Sequence, residues 1–148
     1  MKRVERQAVI ATAPAELFAY IANLDNLPEW QMGVISAQQT SEGEIGIGAT
    51  ALVARELMGQ RIEAPLTITE YDPPRHLAIG SEVSGVKAHG TLDLAPTQDG
   101  TATDLSFAME IRGSMLTSFM EPMIASAAGG DIDESLKRLQ ERFSPPTE

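Results

Sequence analysis

The chain contains no cysteine among its 148 residues. Disulfide bonds, cysteine-ligated zinc, iron–sulfur clusters and thiol nucleophiles are therefore excluded. Its two histidines occur in no His-x-x-x-His or Glu-x-x-His pattern, so a transition-metal site has few ligands to draw on. Nucleophile-elbow and P-loop motifs are absent as well. The sequence predicts a protein without a metal ion and without a cofactor.

Basic side chains are scarce: 11 Lys and Arg against 21 Asp and Glu give a net charge of -10. Such a charge repels phosphate backbones and anionic lipid headgroups, which argues against a nucleic-acid partner. No apolar run reaches the length of a signal peptide or a membrane span, so we expect a cytoplasmic protein without stable membrane insertion. The oligomeric state stays open.

The composition, 43% hydrophobic and 22% charged, is that of a globular protein. Repeats are absent, and residues 144–148 form the one linker-like stretch. We therefore predict a single domain over residues 1–148 that ends in a flexible tail.

The order of hydrophobic patterns predicts an α+β fold. A strand over the first dozen residues is followed by a short helix that starts at Pro14, and six antiparallel strands then fit the Val-, Ile- and Thr-rich runs from Val34 to Ile111. Residues 116–143 return to helical spacing, although Pro122 and the Gly129-Gly130 pair should weaken or kink that helix. A sheet with one buried face needs a cover, which this long helix can provide.

Three short motifs occur in this framework: TAPAELF at residues 12–18, LPEW at residues 27–30 and TEYDPPR at residues 69–75. Together with the element order, they resemble the START-like superfamily, and most of all its polyketide cyclase/dehydrase branch. The resemblance implies a helix-grip fold: a curved seven-stranded antiparallel sheet wraps around a long C-terminal helix, two short helices follow the first strand, and sheet and helix enclose a mostly apolar cavity. Members carry lipids, bind hormones, flavonoids or ubiquinone, cyclise aromatic polyketides or assist chaperones, so the resemblance implies fold more than chemistry.

Small side chains and methionines support the cavity, because alanines and glycines fill space poorly and thioethers adapt to varied apolar ligands. The small residues expected to face inward are Ala49, Ala51, Ala64, Ala88, Gly90 and Ala127. The alternative is a solid core with methionine as gap filler. The candidate apolar lining comprises Phe107, Met109, Phe119, Met120, Met123 and Ala127.

Arg55 is the candidate polar residue of the pocket. A two-residue turn at Met58-Gly59 would pair Arg55 with Ile62 and place Arg55 on the inward face beside Val53. A buried guanidinium is costly unless it meets a carboxylate, water or ligand oxygens. The alternative is a solvated surface arginine, because Pro65 in the next strand could introduce a bulge that shifts the register.

Three further side chains are candidate ligand contacts. Trp30 and Tyr71 suit a pocket rim or stacking on a ring, or they pack in the core. Ser81 could orient a polar group of a ligand, or it bonds a neighbouring carbonyl. Both histidines, His76 and His89, are expected at the surface.

These residues leave three interpretations of function. The first is binding of a hydrophobic small molecule, such as a polyketide, lipid or isoprenoid. The second is a polyketide aromatase/cyclase or dehydratase, in which Arg55 stabilises an enolate oxygen and Tyr71 or Ser81 orients it. The third is a protein-interaction module with a vestigial cavity. A carboxyl or histidine in the cavity would favour the enzyme, and a purely apolar lining would favour the carrier.

A dinucleotide site at the G-x-G-x-x-A stretch of residues 46–51 is disfavoured by the polar segment before it.

Overall fold

The computed structural model describes residues 2–57, 59–83, 86–113 and 121–143, with the backbone alone for Lys2, Leu57, Val83 and residues 121–128. The strands are β1 Lys2–Ile10, β2 Val34–Gln39, β3 Thr50–Leu57, β4 Gln60–Asp72, β5 His76–Val83, β6 Val86–Thr97 and β7 Ala102–Gly113. The helices are α1 Pro14–Ala22, α2 Leu27–Trp30 and α3 Glu121–Arg142. Short 3-10 turns occupy Leu24–Asn26 and Gln98–Gly100.

All seven strands form one antiparallel sheet in the order β1-β7-β6-β5-β4-β3-β2. Neighbours from β2 to β7 are consecutive along the chain. The first strand, β1, forms the edge beside β7 and pairs with it from Lys2 opposite Ile111 to Ile10 opposite Thr103. Two short helices separate β1 from the remaining strands, and α3 follows β7. The predicted α+β helix-grip fold, with its seven-stranded sheet and C-terminal helix, is confirmed.

Local sequence signals explain the first helix. Pro14 takes the first helical position, where its missing N–H costs nothing, and Glu16 in the first turn accepts a hydrogen bond from the Thr12 hydroxyl at 2.7 Å. Leu17, Phe18 and Ile21 form its buried face. The helix thus covers one end of the sheet with its apolar side.

The second half of α3 packs on the inner face of the sheet. Ile132, Leu136 and Leu139 are buried in one apolar core, to which β7 contributes Leu105 and Phe107. Charged residues occupy the exposed side of the helix between them. No helix in the described ranges is long and apolar enough to span a membrane.

The Gly129-Gly130 pair does not interrupt α3, which is one continuous helix from Glu121 to Arg142. Gly129 is buried, and a Cβ atom there would lie 3.3 Å from Arg6 Nη2 and 3.4 Å from Val4 Cγ1. Contacts this tight would force β1 side chains to shift. Glycine at 129 therefore lets the helix approach β1 closely, which accounts for a poor helix former at this position.

On the outer face of the sheet, His76 lies between two carboxylates. Its Nδ1 is 2.6 Å from Asp93 Oδ1 and its Nε2 is 2.7 Å from Glu70 Oε1. Both ring nitrogens donate only in the imidazolium form, so hydrogen bonds to these two carboxylates raise the pKa of His76, against a smaller opposing effect of desolvation. In its charged form, the histidine joins three neighbouring strands, β4, β5 and β6.

A raised folded-state pKa makes the contribution of His76 to stability pH-dependent. The contribution is complete below the unfolded pKa of about 6.5 and is lost as pH rises through the higher folded value. We expect His76→Gln to cost up to about 1 kcal/mol at pH 5.5 and less at pH 9, measured by urea unfolding. The control is His89→Gln, because the partner of His89 is the neutral Thr69 hydroxyl at 3.4 Å rather than a carboxylate. A His76→Gln cost that grows with pH would contradict the assignment.

Candidate functional site

The β3–β4 hairpin has the predicted register. Arg55 pairs with Ile62, and on its other side it pairs with Val34 of β2. Pro65 pairs regularly with Leu52, and the irregularity of β4 lies between Ile68 and Glu70 instead. Pro65 therefore leaves the register at Arg55 unchanged.

Arg55 is a half-buried cation among apolar residues of the inner face. Val53, two residues before it, and Ala64 are buried. Burial lowers the pKa of the Arg55 guanidinium, and the Asp131 carboxylate acts in the opposite direction. Within the described ranges, the guanidinium forms no direct ion pair or side-chain hydrogen bond. Its five N–H donors can therefore bind oxygen atoms of a ligand.

Asp131 brings a carboxyl group to the same region from α3. It lies against the loop that leads into β2, because a Cβ atom on Gly33 would be 3.4 Å from Asp131 Oδ2. Burial raises the pKa of Asp131, and the charge of Arg55 partly counteracts that rise. The Arg55 guanidinium and the Asp131 carboxylate interact electrostatically without direct contact. A polar group placed between them could therefore bind both.

The end of α2 adds two buried polar atoms. Trp30 and Gln31 are 2% and 5% exposed, and neither Trp30 Nε1 nor Gln31 Oε1 has a hydrogen-bond partner within the described part of the chain. The indole ring packs 6.1 Å from the Phe107 ring, centroid to centroid, on the inner face of β7. Native proteins satisfy most buried polar atoms, so each of these is a candidate ligand contact.

Hydrogen bonds connect these elements. The next residue, Met32, donates its backbone N–H to Ser135 Oγ at 2.8 Å, and that hydroxyl donates to the Asp131 carbonyl at 2.6 Å. The Val34 N–H, opposite Arg55, donates to the Gln31 carbonyl at 3.3 Å. We call Trp30, Gln31, Arg55 and Asp131 the polar corner, since these bonds tie the segment after α2 to β2 and α3, and Arg55 pairs with Val34 of β2.

The other predicted site residues divide into groups. Phe107 and Met109 are buried on the inner face of β7, and half-buried Tyr71 packs edge-on against Phe18 with ring centroids 5.4 Å apart. The Ser81 hydroxyl donates to the Pro65 carbonyl at 2.8 Å, so its hydrogen is already used. These positions do not establish ligand contact, which stays a prediction for all of them.

Phe119 and Met120 lie outside the described residues, and Met123 and Ala127 are placed by their helical backbone alone. Their role in lining a cavity remains a prediction. In the described ranges, no group of three His, Asp or Glu side chains is placed to hold a metal ion. The G-x-G-x-x-A stretch leads into strand β3 rather than a helix, so it cannot form the dinucleotide motif.

Sequence reasoning missed Asp131 and Gln31. Asp131 stands four residues before buried Ser135 and eight before buried Leu139, a helical spacing that places it at the border of the apolar stripe. That spacing was a usable signal. Gln31 has no comparable signal, because its burial depends on the loop that follows α2.

Comparison with known proteins identifies relatives over nearly the whole chain. The family model described as polyketide cyclase/dehydrase and lipid transport matches residues 1–144. An uncharacterised protein of Mycobacterium tuberculosis is 28% identical over 144 residues, which cover 97% of this chain and 99% of that protein. These matches extend from β1 through α3 and so include every residue of the polar corner.

Solved structures share the fold. A START superfamily protein from Mycobacterium smegmatis superposes with a TM-score of 0.79 at 12% identity, covering 95% of this chain and 96% of its own. The ZhuI aromatase/cyclase of a Streptomyces species superposes with a TM-score of 0.75 at 14% identity, covering 95% of this chain and 94% of its own. At these identities, the similarity shows a common fold alone.

Proposed function

Because the chain belongs to the polyketide cyclase/dehydrase and lipid transport family, we propose that it binds a hydrophobic small molecule of polyketide, lipid or isoprenoid type between the sheet and α3. The observation that supports this proposal is the half-buried guanidinium of Arg55 on an otherwise apolar face, opposite the Asp131 carboxyl. Apolar side chains remove the body of the ligand from water, and Arg55 binds an oxygen atom of it.

The two kinds of contact have different roles. Burial of apolar surface contributes roughly 25 cal/mol for each Å² and is indifferent to the chemistry of the ligand. A hydrogen bond from a charged donor contributes about 1.5–3 kcal/mol and requires a correctly placed acceptor. Shape and apolar area therefore set the affinity, and the polar corner selects among ligands of similar shape.

Two measurements test the binding function directly. Native mass spectrometry of gently purified protein should show an added mass that disappears on denaturation. Protein freed of that ligand should bind the dye ANS at one saturable site, and decanoic acid or 1-naphthol should displace the dye. A lack of both a co-purifying mass and saturable dye binding would contradict the proposal and would favour an interaction module with a vestigial cavity.

A second candidate function is catalysis by a polyketide aromatase/cyclase or dehydratase, which the Asp131 carboxyl favours. Its carboxylate could take a proton from the carbon next to a ligand carbonyl, the electron pair forming the enolate double bond, while Arg55 stabilises the enolate oxygen. The raised pKa of Asp131 makes its carboxylate a stronger base for this proton. Deuterium exchange at the α-carbons of 2-tetralone, accelerated by the protein and abolished in Asp131→Asn while binding persists, would favour the enzyme.

A further inference from the structure

We infer, on the basis of the proposed binding function, that the ligand presents a neutral hydroxyl group, phenolic or enolic, to the end of α2. The Gln31 side-chain oxygen accepts the hydrogen of that hydroxyl, and the Trp30 indole N–H donates to its oxygen. Gln31 is thereby a specificity-determining residue for the bound molecule, distinct from the charged contact at Arg55.

The burial of these two atoms carries the inference. Trp30 and Gln31 are among the most buried residues of the α2 region, yet neither Trp30 Nε1 nor Gln31 Oε1 has a protein partner within the described ranges. A buried donor or acceptor left without a partner costs about 1–3 kcal/mol. Two such atoms on adjacent residues, one a donor and one an acceptor, are complementary to a group that both accepts and donates.

The position of the pair agrees with this role. Trp30 packs against Phe107 on the inner face. The backbone carbonyl of Gln31 accepts a hydrogen bond from the N–H of Val34, the β2 residue that pairs with Arg55. A carboxylate offers acceptors alone and cannot satisfy the Gln31 oxygen, and an alkyl group satisfies neither atom. A hydroxyl satisfies both, so a ligand that also places a carbonyl or acidic oxygen at Arg55 would contact Trp30, Gln31 and Arg55 together.

The test compares 1-naphthol with 1-methylnaphthalene, which have nearly the same shape and differ in the hydroxyl. We expect the wild-type protein to bind 1-naphthol about ten-fold more tightly, as measured by ANS displacement at pH 7. Gln31→Met keeps the length of the side chain and removes its hydrogen-bonding groups. We expect this variant to lose most of that preference while it binds 1-methylnaphthalene at least as well.

The thermal stability of Gln31→Met without ligand distinguishes a ligand contact from a structural role of Gln31. Because Gln31→Met removes a buried acceptor without a partner, the variant should be at least as stable as wild type in the absence of ligand. A less stable variant with unchanged ligand preference would show that Gln31 is structural and would overturn the inference.

Trp30 gives a measurement that needs no substitution. It is the single tryptophan of the chain, so its indole N–H produces one cross-peak in an ¹⁵N-labelled protein. We expect 1-naphthol to move the indole proton downfield relative to 1-methylnaphthalene, as a new hydrogen bond requires. Equal affinities and equal indole shifts for the two compounds would overturn the hydroxyl inference and leave the binding proposal intact. A failure of both compounds and of ANS to bind would overturn the binding proposal itself.

Discussion

Replacing Leu136 with alanine is expected to lower the free energy of unfolding by about 2–5 kcal/mol. Leu136 is 5% exposed and belongs to the core that joins α3 to the inner face of the sheet. Truncation removes its buried methyl groups and leaves a space that neighbours on two rigid elements cannot fill by small movements. Urea unfolding monitored by circular dichroism measures the difference.

The next residue provides the matched control. Lys137 is exposed on the same helix turn, so Lys137→Ala changes helix propensity and surface charge without opening a cavity. We expect its effect to stay within about 0.5 kcal/mol. Equal effects for the two substitutions would mean that α3 does not place Leu136 on the sheet.

The elements of the fold were predictable because each has a period that the sequence displays. Alternating apolar residues predict the inward face of β7, and the recurrence of Ile132, Leu136 and Leu139 predicts the buried side of α3. The glycine at position 59 fixed the hairpin and so the facing of Arg55. The pairing of β1 with β7 was not predicted, because no local pattern indicates which strands a hundred residues apart lie side by side.

The polar corner was only partly predictable, because its members come together through tertiary contacts. Arg55 followed from strand register, which is local. The approach of Asp131 depends on the closeness of α3 to the loop before β2, where Gly33 has no side chain to separate them. Gln31 is buried in the segment that follows α2, where the neighbouring Met32 N–H donates to Ser135 Oγ of α3. The helical spacing of Asp131, Ser135 and Leu139 was a local signal for Asp131, whereas no spacing near Gln31 indicates that Gln31 is buried.

Replacing Arg55 with methionine is expected to weaken the binding of 1-naphthoic acid about ten-fold or more and to change that of 1-naphthamide little. Methionine keeps much of the side-chain volume and removes the charge. The acid is ionised at pH 7, and its carboxylate loses a charged hydrogen bond in a partly buried setting, where water replaces that bond poorly. Competition with ANS measures both affinities.

An arginine-to-methionine substitution on the neighbouring strand β4 distinguishes a local effect of the Arg55 charge from an effect of the net charge. Arg61 lies on β4, is exposed, and reaches Glu63 at 3.8 Å, so Arg61→Met changes the net charge by the same amount without touching the inner face. We expect Arg61→Met to leave both affinities nearly unchanged, because solvent and salt screen an exposed charge. If Arg55→Met weakens the acid and the amide equally, the guanidinium acts through packing. If the two arginine variants weaken the acid alike, the preference comes from net charge, and Arg55 has no direct contact with the ligand.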